Sequence, residues 1–343
     1  MTLAAAEPVA HLGGQVARNL VEVSHDPRVL DHGGRWAVAV PYDGPPVLAR
    51  FADWQVGPPE VVAGSWQGPT TWTTSLDRSA YMAAVEVIRE RIAAGGVYQA
   101  NVCRVLSARL PDPARGDVGG LHALLRRGNP APHAAMIRIP GVIEVASASP
   151  ELFLDRVGDV VETGPIKGTG RTVSDLLPKD RAENVMIVDL MRNDLSRVCR
   201  TGSVTVPALL TEEEHPGLVH LVSRVRGVLR DGTTWPQILE ATFPPGSVTG
   251  APKLAAIACI DEVETASRGV YCGALGWVDA DAGTASLGVA IRTFWVEAGH
   301  VRFGTGAGIT WSSDPEAEWR ETELKAERLI AVAAGSWEGR MGP

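Results

Sequence analysis

The most regular pattern of apolar and polar positions in the chain lies between Ser79 and Ala94. Apolar residues recur there at spacings of four, three and four positions: Tyr81, Val85, Ile88 and Ile92. Such spacing gathers the apolar side chains on one face of a helix. Gly95 and Gly96 follow directly and predict the end of that helix.

Two longer helices are predicted over residues 180–195 and about 315–333, with a short one around 121–127 and two more flanking the loop 244–253. The middle of 180–195 is apolar on almost every side, which is typical of a buried helix. Each of the two longer helices carries a pair of acidic residues three positions apart, and such a pair lies on one face. The pairs are Asp180 with Glu183 and Glu318 with Glu321.

Strand patterns occur in clusters and do not alternate one for one with the helices. The clearest, Val97–Leu106, places Gln99 and Asn101 on one face. Others are predicted at 134–139, 142–146, 203–206, 218–229 and in the glycine-rich region 271–305, whereas residues 1–75 hold only short apolar runs between turns. Clustered strands favour an α+β fold with antiparallel sheets over a doubly wound fold. Because no repeat or long linker interrupts the pattern, we expect residues 1–343 to form one domain.

Composition excludes several classes of protein. With 45% hydrophobic residues in 343, the chain can bury a large core, and 32 basic against 40 acidic residues give a net charge of −8. No basic block is present, so we expect no nucleic-acid partner. Neither a signal peptide nor an apolar run long enough to span a membrane is recognisable, which predicts a cytoplasmic location. The cysteines are scattered and predict reduced thiols: Cys103, Cys199, Cys259 and Cys272.

Lys167 is the first candidate for chemistry. It follows a strand-like run that ends in a Gly-Pro turn at Gly164–Pro165, and it stands between Ile166 and Gly168. If that strand is interior, burial favours the uncharged amine, which is a nucleophile. The alternative is a surface lysine in a turn.

The two acidic pairs suggest a metal site. If they face each other across a cleft, their carboxylates offer the oxygen ligands that Mg²⁺ prefers. The alternatives are solvated helix faces and acids that stabilise the helix N-termini.

Four other sites carry weaker signals. The glycine run Gly304–Gly308 could bind a carboxylate through backbone N–H groups, although turns also need glycine. Arg292 interrupts an apolar strand, either to meet a carboxylate or at a sheet edge. Glu151 precedes Leu-Phe-Leu, and apolar neighbours would raise its pKa towards general-acid work. His220, within Leu218–Val222, is by default a core histidine.

Seven segments follow one another in a specific order: PIKGT (165–169), DRAENVMIVDLMRNDL (180–195), HLVSRVRG (220–227), PPGSVTGAPK (244–253), YCGALG (271–276), GTGAGIT (304–310) and EAEWRETELKA (316–326). Together they resemble the chorismate-utilising enzymes, which comprise anthranilate synthase component I, aminodeoxychorismate synthase component I, isochorismate synthase and salicylate synthase. The resemblance covers residues 76–335, while 1–75 match poorly. It implies an anthranilate-synthase-like α/β sandwich, with two large antiparallel sheets face to face and helices outside.

The resemblance also implies roles for individual residues. Lys167 matches the nucleophilic lysine of aminodeoxychorismate synthases, and Gln99 occupies the position of a water-activating lysine in isochorismate synthases. Glu151 would be the general acid and His220 would line the pocket. Substrate contacts are implied for Thr169, Ser247, Tyr271, Arg292, Gly306, Gly308 and Lys325. Glu183 and Glu321 would ligate Mg²⁺, with Asp180 and Glu318 acting directly or through water.

The activity implied is that of aminodeoxychorismate synthase component I, a Mg²⁺-dependent enzyme that converts chorismate and ammonia to 4-amino-4-deoxychorismate through a lysine-bound intermediate. Because the chain shows no GxCxG nucleophile elbow, the resemblance implies a separate glutamine amidotransferase subunit that delivers ammonia. The alternatives are anthranilate synthase component I, which also eliminates pyruvate, and a non-catalytic chorismate-binding subunit.

Overall fold

The computed structural model describes residues 7–170, 172, 174, 178–215 and 218–336. This part of the chain contains six α-helices: α1 Arg78–Ala93, α2 Val118–Gly128, α3 Pro178–Ser196, α4 Trp235–Thr242, α5 Lys253–Val263 and α6 Pro315–Ala333. The helices predicted at 79–94, 180–195 and 315–333 are thus confirmed almost to the residue. None of the helices in these ranges is long and apolar enough to cross a membrane.

Side-chain caps explain where several helices begin. Asp77 precedes α1 and accepts a hydrogen bond from the Ala80 N–H, and Asp314 does the same for Ala317 at the start of α6. A carboxylate in this position satisfies a backbone donor that has no partner within the helix. Pro315 occupies the first position of α6, where its missing N–H costs nothing.

Eighteen β-strands account for most of the remaining described residues. In the first half of the chain they are β1 Val9–Leu12, β2 Gln15–Ser24, β3 Arg35–Val40, β4 Val47–Val56, β5 Thr73–Thr74, β6 Gln99–Arg109, β7 His133–Ile139, β8 Ile143–Ser149 and β9 Leu152–Val157. In the second half they are β10 Val160–Gly164, β11 Ile166–Gly170, β12 Thr205–His215, β13 Leu218–Val228, β14 Gly250–Ala251, β15 Ala274–Asp279, β16 Thr284–Val289, β17 Thr293–Glu297 and β18 His300–Ile309.

The strand pairs run antiparallel and follow one linear order. From one end to the other the order is β12, β13, β10, β9, β16, β15, β3, β4, β2, β1, β7, β8, β17, β18 and β6. Strand β11 pairs with the same edge of β13 as β10 does. Strands β5 and β14 both pair with the outer edge of β6. Strands β1–β4 of the poorly matched N-terminal part lie in the middle of this order. The strands therefore form a ribbon whose two ends lie near β13 and β6.

The main apolar core lies between the two halves of the ribbon. Val105, Ile137 and Val145 from one half share a cluster with Leu154 and Leu287 from the other. Helices α2 and α6 cover the outer face of β6, β7, β8 and β18 with a second cluster, and α1 and α5 add a third. The predicted α+β sandwich is confirmed, with the refinement that the β2–β4 pairing makes its two sheets continuous.

Candidate active site

Strand β6 presents alternate side chains to the interior of the sandwich and to the helices. Cys103 and Val105 belong to the main core, so Gln99 and Asn101, at the same alternation, also face inward. Ala100 and Val102 face the helices. The Gln99 side chain is fully buried, and its Nε2 lies 3.5 Å from Asn101 Oδ1. The predicted common face of Gln99 and Asn101 is therefore an inner face.

The glycine run 304–308 lies inside strand β18 and pairs in register with β6, which extends the predicted glycine-rich strand region beyond residue 305. Gly304, Gly306 and Gly308 alternate on the inner face of β18. A Cβ there would collide with the Tyr271 ring, Cys103 Sγ and Gln99 Nε2, respectively. Glycine is thus required for close packing, because the inner side chains of β6 and Tyr271 occupy the space above β18.

The backbone carbonyl of Ser247 joins the two ends of the ribbon. Ser247 lies in a single 3₁₀ turn, Gly246–Val248. Its oxygen accepts a hydrogen bond from Lys167 Nζ at 3.2 Å and from Asn101 Nδ2 at 3.3 Å. Lys167 comes from β11, near one end of the ribbon, and Asn101 from β6, at the other. Lys167 is half-buried.

Glu151 lies at the start of β9 with only 4% of its surface exposed. Burial raises the pKa of its carboxyl to about 7. Four neighbouring groups oppose that rise: the Ser247 hydroxyl, the Lys167 amino group, the Ile166 backbone N–H and the Arg292 guanidinium. A carboxyl group with this pKa can hold or release a proton near neutral pH, as a general acid must.

Three buried polar atoms near this point have no hydrogen-bond partner within the described ranges. They are Gln99 Oε1, Glu151 Oε1 and Ser247 Oγ. Buried polar groups are nearly always paired in folded proteins. These atoms are therefore available to a bound ligand or water.

Two further predicted residues border this group. Arg292 has a positive φ of 52°, which is rare for a side chain of its size and is typical of functional sites. Burial and the nearby Arg328 lower the pKa of Arg292, while Glu151 opposes this. His220 is buried on β13, opposite Thr169 of β11. The side chain of Thr169 lies outside the described residues.

The acidic residues on α3 and α6 approach the site from two directions. Asp180 lies against Gly168, the residue that follows Lys167. On α6, Lys325 Nζ pairs with Glu321 at 2.6 Å and donates to the Gly306 carbonyl at 3.0 Å. Glu318 is buried. Among the described residues no three His, Cys, Asp or Glu side chains are grouped closely enough to hold a metal ion.

Sequence reasoning missed two buried ion pairs behind the Ser247 turn. Lys253 Nζ lies 2.7 Å from Asp194 Oδ2, and Arg268 Nη2 lies 2.6 Å from Glu264 Oε1. Charged residues spaced like these are common on surfaces, so the sequence carries no signal that they are buried. The only available hint was that Lys253 closes the PPGSVTGAPK segment.

Comparison with known proteins agrees with this geometry. The family model of chorismate binding enzymes matches residues 45–331. Anthranilate synthase component 1 of Streptomyces coelicolor is 40% identical over 277 residues, which are 77% of this chain and 53% of that protein. Aminodeoxychorismate synthase component 1 of Klebsiella aerogenes is 36% identical over 315 residues, 88% of this chain and 68% of that protein. The chain thus spans about half the length of the anthranilate synthase it matches.

Solved structures give the same fold. Anthranilate synthase component I from Streptococcus pneumoniae superposes with a TM-score of 0.74 at 26% identity, covering 87% of this chain and 80% of that one. The menaquinone-specific isochorismate synthase of Escherichia coli superposes with a TM-score of 0.79 at 18% identity, covering 96% and 89%. The second likeness concerns the fold alone.

Proposed function

Because this chain belongs to the family of chorismate binding enzymes, we propose that it acts as component I of an aminodeoxychorismate synthase. It would convert chorismate and ammonia to 4-amino-4-deoxychorismate. The observation that carries this proposal is the half-buried Lys167 amine, held by the Ser247 carbonyl beside a Glu151 carboxyl with a pKa of about 7. A nucleophilic amine beside a buried acid suits a displacement in which hydroxide must leave.

The reaction has two displacements. The uncharged Lys167 amine forms a bond to C2 of chorismate while the C4 hydroxyl takes a proton from Glu151 and leaves as water. Ammonia then forms a bond to C4, and the electron pair of the C2–N bond returns to Lys167. The new C4 ammonium group gives one proton to the Glu151 carboxylate, which restores the acid. The net change is the replacement of one hydroxyl by one amino group with release of one water. Dividing the reaction in this way replaces one difficult step by two easier ones.

The unpaired amide oxygen of Gln99 suits ammonia as the nucleophile of the second displacement. Gln99 Oε1 can accept a hydrogen bond from ammonia, but an amide cannot act as a base towards water. Ammonia needs no deprotonation before it attacks, whereas water does. The buried amide of Gln99 therefore supports amination over hydration.

The carboxylates on α3 and α6 would supply oxygen ligands of the kind that Mg²⁺ prefers, and Mg²⁺ usually takes only one or two of its ligands from protein. Glu183 and Glu321 would hold the ion, with Asp180 and Glu318 directly or through water. When bound, Mg²⁺ would neutralise the ring carboxylate of the substrate and withdraw electrons from the ring. Arg292 and Lys325 would bind the remaining negative charge.

Anthranilate synthase component I is the second candidate, because relatives of that name reach 40% identity. The deciding experiment is to incubate the protein with chorismate, MgCl₂ and ammonium chloride and to identify the product by mass. 4-Amino-4-deoxychorismate without pyruvate supports the proposal. Fluorescent anthranilate with one equivalent of pyruvate supports the second candidate. Glutamine should replace ammonium only when a glutaminase subunit is added.

The covalent step has a separate test, in which ammonia is left out. We expect the intact protein to gain the mass of chorismate minus water, and Lys167→Ala to abolish that gain, since the variant lacks the attacking amine. Lys179→Ala is the matched control, because no role is assigned to Lys179. An adduct that persists in Lys167→Ala would remove this lysine from the mechanism.

A further inference from the structure

Strand β6 has one edge on which its neighbouring strands leave a gap. Short β14 pairs with Gln99 and Ala100, and the Asn101 N–H donates to the Thr249 carbonyl at 2.8 Å. Further along, Ser75 pairs with Val105. Between these points the Asn101 carbonyl and the Cys103 N–H face no strand. Buried backbone groups need partners, so something else must fill this gap.

The side chains of Glu264 and Arg268 fill the gap. Glu264 Oε1 accepts a hydrogen bond from the Cys103 N–H at 2.8 Å, and Arg268 Nη2 lies 3.4 Å from the Asn101 carbonyl. The two side chains pair with each other at 2.6 and 2.9 Å. Their exposed fractions are 7% for Glu264 and 1% for Arg268. The pair thus takes the place of a strand at this edge.

Arg268 also reaches the turn that carries Ser247. Its Nη1 donates to the Val248 carbonyl at 2.9 Å. Val248 follows Ser247, whose carbonyl accepts from Lys167 Nζ. One planar guanidinium therefore ties the 246–248 turn to the backbone of β6. Its fixed fork of donors suits this work better than the single ammonium of a lysine.

We propose that Glu264 and Arg268 are positioning residues for the active site. They set the distance between the Ser247 turn, which holds the Lys167 amine, and the Gln99–Asn101 face of β6. Neither residue is placed against the substrate, so they act through the Ser247 turn and the backbone of β6. The effect on turnover rests on the proposed function, but the effect on the reactivity of Lys167 does not.

The competing explanation is a pair that supports folding alone. Removing one partner of a buried ion pair destabilises many proteins whatever its place in the fold. The two explanations differ in what happens to Lys167 in a variant that still folds. A positioning pair predicts a change at Lys167 but not at a lysine elsewhere, whereas a folding pair predicts no selective change.

The test uses Arg268→Lys and Glu264→Gln in the full chain. Arg268→Lys keeps the charge but loses the fork, and Glu264→Gln keeps the shape but loses the charge. Matched controls come from Arg91 and Glu262, an exposed pair at 2.8 Å that joins α1 to α5, the helix that ends directly before Glu264. Arg91→Lys and Glu262→Gln make the same chemical changes outside the gap.

The first readout is lysine acetylation resolved by peptide mass spectrometry, for which the chain is well suited because it has only four lysines. With the Ser247 carbonyl displaced, the Lys167 amine loses a hydrogen bond and becomes more accessible. We call Arg268→Lys and Glu264→Gln the gap variants. We expect Lys167 to be acetylated about fivefold faster in both of them, which is the effect of one ordinary hydrogen bond. Lys325 in the same sample should be unchanged, as should both lysines in the control variants.

The second readout is the rate of amination with ammonium. We expect kcat to fall by about a hundredfold in Arg268→Lys, the typical effect of a small misplacement of reacting groups, while KM for chorismate changes much less. An unchanged rate of Lys167 acetylation in folded gap variants overturns the proposal, and so does an equal change in the control variants. If Arg268→Lys does not fold, Glu264→Gln decides alone. If the unsubstituted protein forms no product, the proposed function fails. The acetylation rates then still test whether Glu264 and Arg268 position Lys167.

Discussion

At the scale of single residues, Glu151 shows how its surroundings set a chemical role. Its sequence neighbours are apolar, and the fold buries its carboxyl at the start of β9. Burial raises its pKa more than Ser247 and Lys167 lower it, and the result is about 7. The sequence predicted the direction of this shift. The value of the pKa depends on groups that are distant in the chain, so it could be obtained only from the structure.

This pKa predicts the pH dependence of the reaction. If Glu151 is the general acid, its protonated form is needed, so kcat/KM should fall about tenfold per unit as the pH rises above about 7. Glu151→Gln should lower the rate by about 10²–10⁴-fold and abolish this limb of the profile. Steady-state rates between pH 6 and 9 provide the measurement. A rate that stays constant up to pH 9 would contradict the role.

The same group also affects stability, with a definite sign. The folded state favours the protonated carboxyl, so stability is lost as the pH rises from the ordinary pKa of 4.5 through 7. Glu151→Gln has no such loss and should be more stable than the parent above pH 7, by about 3 kcal/mol at most. This comparison does not depend on turnover and serves as a control for the kinetic one.

The sequence singled out Lys167, Glu151 and Ser247, which the fold brings close to one another. It did not single out Arg268, which ties the Ser247 turn to β6. Arg268 was missed because its partners lie far away along the chain: the Val248 carbonyl is 20 positions away and the Asn101 carbonyl 167. Interactions of this kind leave no local pattern in a single sequence.

At the scale of elements, local patterns predicted helices better than strands. Helix α1 was identified by one apolar stripe, because a helix makes its hydrogen bonds within itself. The sequence could not show why β18 needs its glycines, because the reason lies in β6 and Tyr271, which pack against its inner face. A strand is defined by its neighbours, which the local sequence does not contain.

A buried histidine pair joins two elements, β1 and α2, and carries a prediction. His122 Nε2 lies 2.9 Å from His11 Nδ1, and His11 Nε2 contacts the Gly57 carbonyl at 3.0 Å. Burial, with smaller contributions from His11 and Arg126, lowers the pKa of His122 from 6.5 to about 3. The folded protein therefore holds a neutral imidazole that the unfolded chain protonates below pH 6.5.

The stability contributed by this neutral pair is complete above pH 6.5 and is lost as the pH falls towards 3. The loss should be about 1.4 kcal/mol per pH unit for one proton. We expect His122→Gln to flatten the fall in the free energy of urea unfolding between pH 6.5 and 4.5. The exposed His300 provides the control, His300→Gln, which should leave the slope unchanged. Equal slopes in His122→Gln and the parent would refute the assignment.

At the scale of the whole molecule, the N-terminal strands are central to the sheet. Their sequence gave little sign of this, since β1 finds its partner β7 about 125 positions later and β3 pairs with the even more distant β15. The family model begins only at residue 45, directly before β4. Even so, β1–β4 connect the two halves of the sandwich.

This position predicts the result of cutting the chain. A fragment 58–343 should not fold, because it leaves β7 and β15 with unpaired edges that favour aggregation. Co-expression of fragments 1–57 and 58–343 should restore a soluble complex, since the cut falls between β4 and the next turn. Soluble yield and circular dichroism give the answer. A folded fragment 58–343 on its own would show that β1–β4 are dispensable.

The Ser247 carbonyl has a consequence for how the protein reaches its native state. It receives hydrogen bonds from residues 80 and 146 positions away, one near each end of the ribbon. Contacts that close such long loops form late, after the local pairings that make them possible. During refolding, secondary structure should therefore return first, and the hydrogen bonds of the Ser247 carbonyl to Lys167 and Asn101 should form only afterwards.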